Sequence, residues 1–153
     1  MSNTLNYKNP LKKEEIQRRL WHLFGDQWHD KVLNMEEKTD NDLVNRIERL
    51  VEEDLQQITK NQLRNIFNLL HDKRVNLSKL PGLRPKLAYY AAKNTGKEER
   101  RQLQVLTYLL DQLIRKVSTN GQLKSLHLFL EAVVAYHRFE LDIKKKNNGS
   151  IQP

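Results

Sequence analysis

TKNQLRNIFNLLHDKRVNLSKLPGLRPKLAYYAAKNTGKEERR, residues 59–101, decides how the chain is read. Leu63, Ile66, Phe67 and Leu70 recur at helical spacing behind Thr59, with Gln62 three residues later. That is a capping box followed by an amphipathic helix. Pro81-Gly82 marks a turn, and Pro85 suits the first turn of the next helix, where its missing N–H costs nothing. The stretch holds eleven Lys and Arg against three acids, a net of +8, while the flanking segments carry −3 and +3. The net charge of the whole chain is also +8. Charge concentrated in this way points to a basic face for a polyanion.

The rest of the chain supports an all-α fold, a single compact bundle of about five or six helices. The length of 153 residues allows one domain with one core. The expected division is a loose arm over 1–10, a bundle over 11–143 and a disordered tail over 144–153. A first helix is expected from Leu11 to Asn34, weakened at Gly25. A second opens at Thr39 or Asp40, with Thr39 and Asp42 resembling a capping box. It buries Leu43, Ile47, Leu50, Val51, Leu55 and Ile58 and turns Glu48, Glu52, Glu53 and Asp54 to solvent. A later helix steps through Leu103, Leu106, Leu110, Leu113 and Val117, a narrow packing seam. The last, from Gln122 to about Ile143, is apolar on most sides and is expected at the centre of the bundle. Asn94-Thr95-Gly96 is read as the turn before the seam helix, with Thr95 as its cap.

Zero Cys excludes disulfides, thiolate metal sites and a Cys nucleophile. With no secretory h-region and no long apolar run, the chain reads as cytoplasmic, with no membrane partner. No Gly-rich phosphate loop, Ser elbow or paired carboxylates appear, so no enzyme, cofactor or metal is expected. His22, Asp26, His29 and Asp30 would share one helical face and are metal-ligand types. The complementary ligands a hydrolytic centre needs are missing, and Trp21, Phe24 and Trp28 between them fit a packed helix edge better. Glu131 and His137, on the last helix, read as pairing with a neighbouring base or exposure at a bundle end rather than proton transfer.

The basic stretch places its cations at helical spacing on two consecutive helices. Lys60 and Arg64 lie beside the buried stripe of the first, while Lys86, Tyr90 and Lys93 share a face of the second. Tyr90, and with it Tyr89, is interleaved with the cations, which suits backbone contact plus stacking.

Three blocks, ITKNQLRNIFNLL (58–70), LPGLRPKLAYYAAKN (80–94) and FLEAVVAYHRFE (129–140), together resemble the small subunit of the type III-A CRISPR effector, the Csm complex. The resemblance covers about the last two thirds of the chain. It implies a non-catalytic helical bundle whose copies stack in a filament beside the other Csm subunits, lining the channel for guide RNA and target RNA. Carried over by position, the family's basic residues fall at Lys60, Arg64, Arg84, Lys86 and Lys93. Lys93 stands where Arg is common, which keeps the charge but loses a bidentate fork. With Tyr90 and Lys97 these form the candidate RNA-binding set. A competing reading is a basic interaction module that docks an acidic protein, including its own 48–54 face in a homo-oligomer.

Overall fold

The computed structural model describes residues 12–93 and 97–150, at position 97 and over 144–150 by backbone alone. Among the described residues seven α-helices form an all-α bundle, and no strand occurs. They are α1 (Lys13–Phe24), α2 (Trp28–Val32), α3 (Asn41–Leu50), α4 (Lys60–Leu70), α5 (Leu83–Lys93), α6 (Lys97–Lys116) and α7 (Asn120–Ser150). α3 runs on into a π-helical turn at Val51–Leu55, and a 3₁₀ turn at Leu80–Gly82 precedes α5. The expected arm over 1–10, the helix start at Leu11 and the Asn94–Gly96 turn with its Thr95 cap lie outside the described residues.

Several expected boundaries change, each for a local reason. The helix expected over 11–34 is two helices, because Gly25 takes φ 83° and ψ 178°, a region essentially restricted to glycine. Asp40 alone caps α3, accepting from Leu43 N at 2.9 Å, while the Thr39 hydroxyl donates to Met35 O. α7 begins at Asn120 because Thr119 and Gln122 cap it reciprocally, and it continues past Ile143 to Ser150. Lys144, Lys145 and Lys146 have good helix propensity, and the segment contains no proline, although Asn147, Asn148 and Gly149 are weak helix formers. The capping box of Thr59 and Gln62 at the start of α4 forms as the spacing predicts.

The most enclosed helix is α6 rather than α7. Leu103, Leu106, Leu109, Leu110 and Leu113 of α6 are fully buried, and the helix packs on α1, α2, α5 and both irregular turns. α7 buries Leu126, Phe129, Leu130 and Val133 but leaves Leu128, Phe139 and Ile143 exposed. Apolar composition all round did not make it central: it packs mainly on α2, α3, the π turn and α4, and the side carrying Leu128, Phe139 and Ile143 is left exposed.

Polar anchors fix the helices against one another. Two imidazoles of α7 clamp the ends of α4. His137 Nε2 donates to Ile58 O at 2.7 Å, and His127 Nε2 donates to Leu70 O at 2.9 Å. The two contacts run in opposite chain order, so α4 and α7 are antiparallel. Gln57 N donates to Gln102 Oε1 at 2.6 Å, tying the turn before α4 to α6.

Asp54 corrects the expected solvent face of α3. It is only 4% exposed, eleven residues after Leu43 and so on the buried side. Arg19 Nε of α1 reaches both its carboxylate oxygens, at 2.9 and 3.2 Å, and Arg19 Nη2 also meets Glu53 at 2.9 Å. Burial pushes the Asp54 carboxyl up, against the pull of Arg19. Arg19→Met would leave that carboxylate buried and unpaired, and should cost about 3–5 kcal/mol in urea denaturation. The double variant Arg19→Met/Asp54→Leu should recover most of the loss.

Candidate nucleic-acid interface

α4 is a rib between two grooves. At about 100° per residue its inward line is Leu63, Ile66 and Leu70, all buried. On one flank lie Lys60 and Arg64, both exposed, and on the outward side Asn61, Asn65 and Asn68. The groove between α4 and α7, about 580 Å³, is lined by Lys60, Arg64, Phe67 and Asn68 from α4 and by Val134, Arg138, Phe139 and Asp142 from α7. Phe139 is 52% exposed there, an aromatic face among three cations.

The second groove, about 420 Å³, separates α4 from α5. Asn65, Ile66 and Leu69 face Lys86, Tyr89, Tyr90 and Lys93. The Tyr90 hydroxyl donates to Gln62 O at 3.3 Å and accepts from Asn65 Nδ2 at 3.2 Å, so Tyr90 is pinned to α4. Tyr89 is the free ring, 70% exposed. Lys93 Nζ lies 5.1 Å from the centroid of Tyr90 and 5.9 Å from that of Tyr89, which holds the ammonium over the aromatic pair.

Arg84 stands apart from both grooves. It lies on the α6 side of α5, with Nε 2.7 Å from Asp111 Oδ1, and Arg115 Nε is 3.0 Å from the other oxygen. Burial alone would push the Asp111 carboxyl up, but these two guanidinium groups hold it below its ordinary range. The Lys97 backbone opens α6, and its side chain lies outside the described residues. The predicted cations therefore fall into separate places: Lys60 and Arg64 beside α7, Lys86 and Lys93 beside Tyr89, and Arg84 across α5. Arg74 is held by Asp72 at 2.7 and 3.0 Å, and this pairing keeps that carboxyl well below its usual range.

Sequence reasoning left Arg138 and Phe139 out of the set. The signal was present: Phe139 follows Leu128 by eleven residues, on a line that avoids the buried stripe of Leu126, Phe129, Leu130 and Val133.

The other constellations resolve differently. Gly25 separates His22 from Asp26, His29 and Asp30, so the four do not share one helical face. His29 lies against the Trp28 ring at 3.7 Å. His137 is buried in its bond to Ile58, and Glu131 is exposed 3.5 Å from His71 Nε2. Among the described residues, one acidic group brings three possible ligand atoms close together: Glu48, Glu52 and Glu140. Burial and the neighbouring Glu140 push the Glu52 carboxyl up.

No helix among the described residues is long and apolar enough to cross a membrane. The family profile of Csm2 Type III-A matches residues 37–142, more than half of the chain and including both grooves. No curated protein and no solved structure matches the chain.

Two measurements test this geometry. Burial lowers the pKa of His29, His127 and His137, with Lys116 adding to the effect at His29 and His71 at His127. The unfolded chain then takes up more protons than the folded one below the ordinary histidine value. Stability should therefore be full above about pH 6.5 and fall as the pH drops toward 5, read as a declining urea midpoint. Tyr90→Phe should cost about 0.5–1.5 kcal/mol, whereas Tyr89→Ala should stay within about 0.5 kcal/mol of the parent protein.

Proposed function

The chain belongs to the Csm2 Type III-A family, the small subunit of the Csm complex, and on that premise we propose that it holds RNA by its backbone without acting on it chemically. The observation that carries the reading is the pair of cationic grooves flanking α4, each with an exposed aromatic ring. Lys60, Arg64 and Arg138 surround Phe139 on one side, and Lys86 and Lys93 flank Tyr89 on the other. Asn61, Asn65 and Asn68 form a polar, uncharged bridge between them. Cations neutralise phosphates and release counterions, while rings accept any base. Such a surface suits a single strand of guide or target RNA whose sequence is read by base pairing elsewhere in the complex.

Self-association in a filament fits the same charges. Arg19 and Arg49 engage Glu53, and Arg19 holds Asp54, so the acids left for a partner on that side are Glu48, Glu52 and Glu140. A head-to-tail contact would bring this cluster to the basic face of the next copy. One copy then binds RNA weakly, indifferent to sequence, and stacked copies gain by avidity. In this reading the copies sit beside the other Csm subunits in the cytoplasm, and no cofactor takes part. Tyr90 supports the site by positioning Lys93 rather than by stacking.

A second reading, a scaffold without RNA contact, is favoured by the exposed apolar line of Leu128, Phe139 and Ile143 on α7. Salt titration of single-stranded RNA binding separates the two. Replacing Arg64, Lys86 and Lys93 together by Ala should flatten the log–log slope by roughly 0.7 for each phosphate that is no longer neutralised. An unchanged slope, with self-association intact by light scattering, favours the scaffold.

A further inference from the structure

The side of α5 turned away from Tyr89 carries a third groove, of about 360 Å³, between α1, α5 and α6. Its lining includes the small residues Ala88, Ala91 and Ala92, and four cations (Lys13, Arg84, Arg100 and Arg115) stand around it against one carboxylate, Asp111. Two buried polar atoms of this lining have no hydrogen-bond partner among the described residues: Arg100 Nε and Gln104 Oε1. They belong to residues four apart on α6, and so lie one above the other on the same helix face.

The chemistry of the two atoms narrows the ligand. Arg100 Nε can only donate and Gln104 Oε1 can only accept. A buried polar atom left unpaired destabilises the fold, so a group that satisfies both gains twice. A carboxylate offers acceptors but no donor, and an ammonium offers donors beside cations that repel it. A phosphate oxygen next to a hydroxyl meets both demands. In a ribonucleotide the phosphate accepts from Arg100 and the 2′-hydroxyl donates to Gln104, whereas deoxyribose has no such donor. The terminal torsion of Gln is broad, so the Gln104 amide can rotate within the groove it lines.

We infer that the groove between α1, α5 and α6 is a ribose–phosphate site in which Gln104 distinguishes RNA from DNA. The inference deepens the RNA-binding reading and rests on it, and it extends the strand's path over the exposed Ala88 and Ala92 face of α5. Arg100 holds the phosphate here, while Arg84 and Arg115, whose Nε groups stay on Asp111, add positive charge around it.

Fluorescence anisotropy with the full chain, using short single-stranded RNA and DNA of one sequence, tests this. The parent protein should prefer RNA by roughly fivefold, the worth of one hydrogen bond. Gln104→Leu and Gln104→Ala should each remove that preference by weakening RNA alone, with thermal melts confirming that both fold. Arg100→Gln should weaken RNA and DNA alike and flatten the salt slope by about 0.7. Competition by adenosine monophosphate identifies a free nucleotide as a ligand of the site, and competition by oligonucleotide only identifies the strand. Equal RNA and DNA affinity in the parent, or a preference that survives both Gln104 changes, overturns the inference. Lys86→Ala/Lys93→Ala separates it from the broader reading. If that variant weakens both nucleic acids while the Gln104 variants do nothing, the α4–α5 groove stands and the ribose site falls. If the Gln104 variants erase the preference while Lys86 and Lys93 do not matter, the reverse holds.

Discussion

The two imidazole-to-carbonyl hydrogen bonds that clamp α4 onto α7 set the rest of the surface. α4 has eleven residues, too few to be stable alone in water. His137 at Ile58 and His127 at Leu70 hold its two ends, and Leu63, Ile66 and Leu70 fill the space between it and the core. Together they fix its rotation as well as its position. A slip of one residue would turn every side chain by about 100°. Arg64 would then leave its groove, and the outward asparagines would swing round to a flank of the helix. The clamp also requires both imidazoles to donate from Nε2, since a carbonyl can only accept.

The enclosure of α6 explains why the cations lie where they do. A helix packed by α1, α2, α5 and two irregular turns has little room for charge in its middle, where leucines fill it. The basic side chains of the 59–101 stretch are therefore displayed mainly by α4 and α5 and the turn between them. There the structure divides them by use. Arg84 and Arg115 share Asp111, and Arg74 is engaged by Asp72, whereas Lys60, Arg64, Lys86 and Lys93 are exposed. Net charge acts on an approaching polyanion at long range, but contact depends on the side chains that internal carboxylates leave available.

The elements governed by neighbours in sequence were legible. The Thr59–Gln62 box, the stripe on α4, the turn at Pro81-Gly82 and the all-α class all depend on spacings of a few residues. The family resemblance, carried by three blocks, agrees with the Csm2 Type III-A match over 37–142. Gly25 was visible as a weak point, but its φ of 83° is a backbone fact that a sequence does not print. Asp54 was misread because charge suggested solvent, although its spacing from Leu43 already placed it inward. The exposure of Tyr89 rather than Tyr90 was open, because both lie near the edge of one helical face and the hydroxyl contacts on α4 decide between them.

The sequence by itself determined which segments are helical, which face of each is apolar, and that the positive charge collects between residues 59 and 101. It determined these because helix propensity, capping and periodicity act within a turn or two of chain. Only the tertiary structure decided which helix is enclosed, which cations a carboxylate engages, and which aromatic rings stand free. Several of those outcomes depend on residues far apart in sequence, such as Arg84 with Asp111 and Ile58 with His137, 27 and 79 positions apart. No local rule brings such residues together; the packing of the whole bundle does.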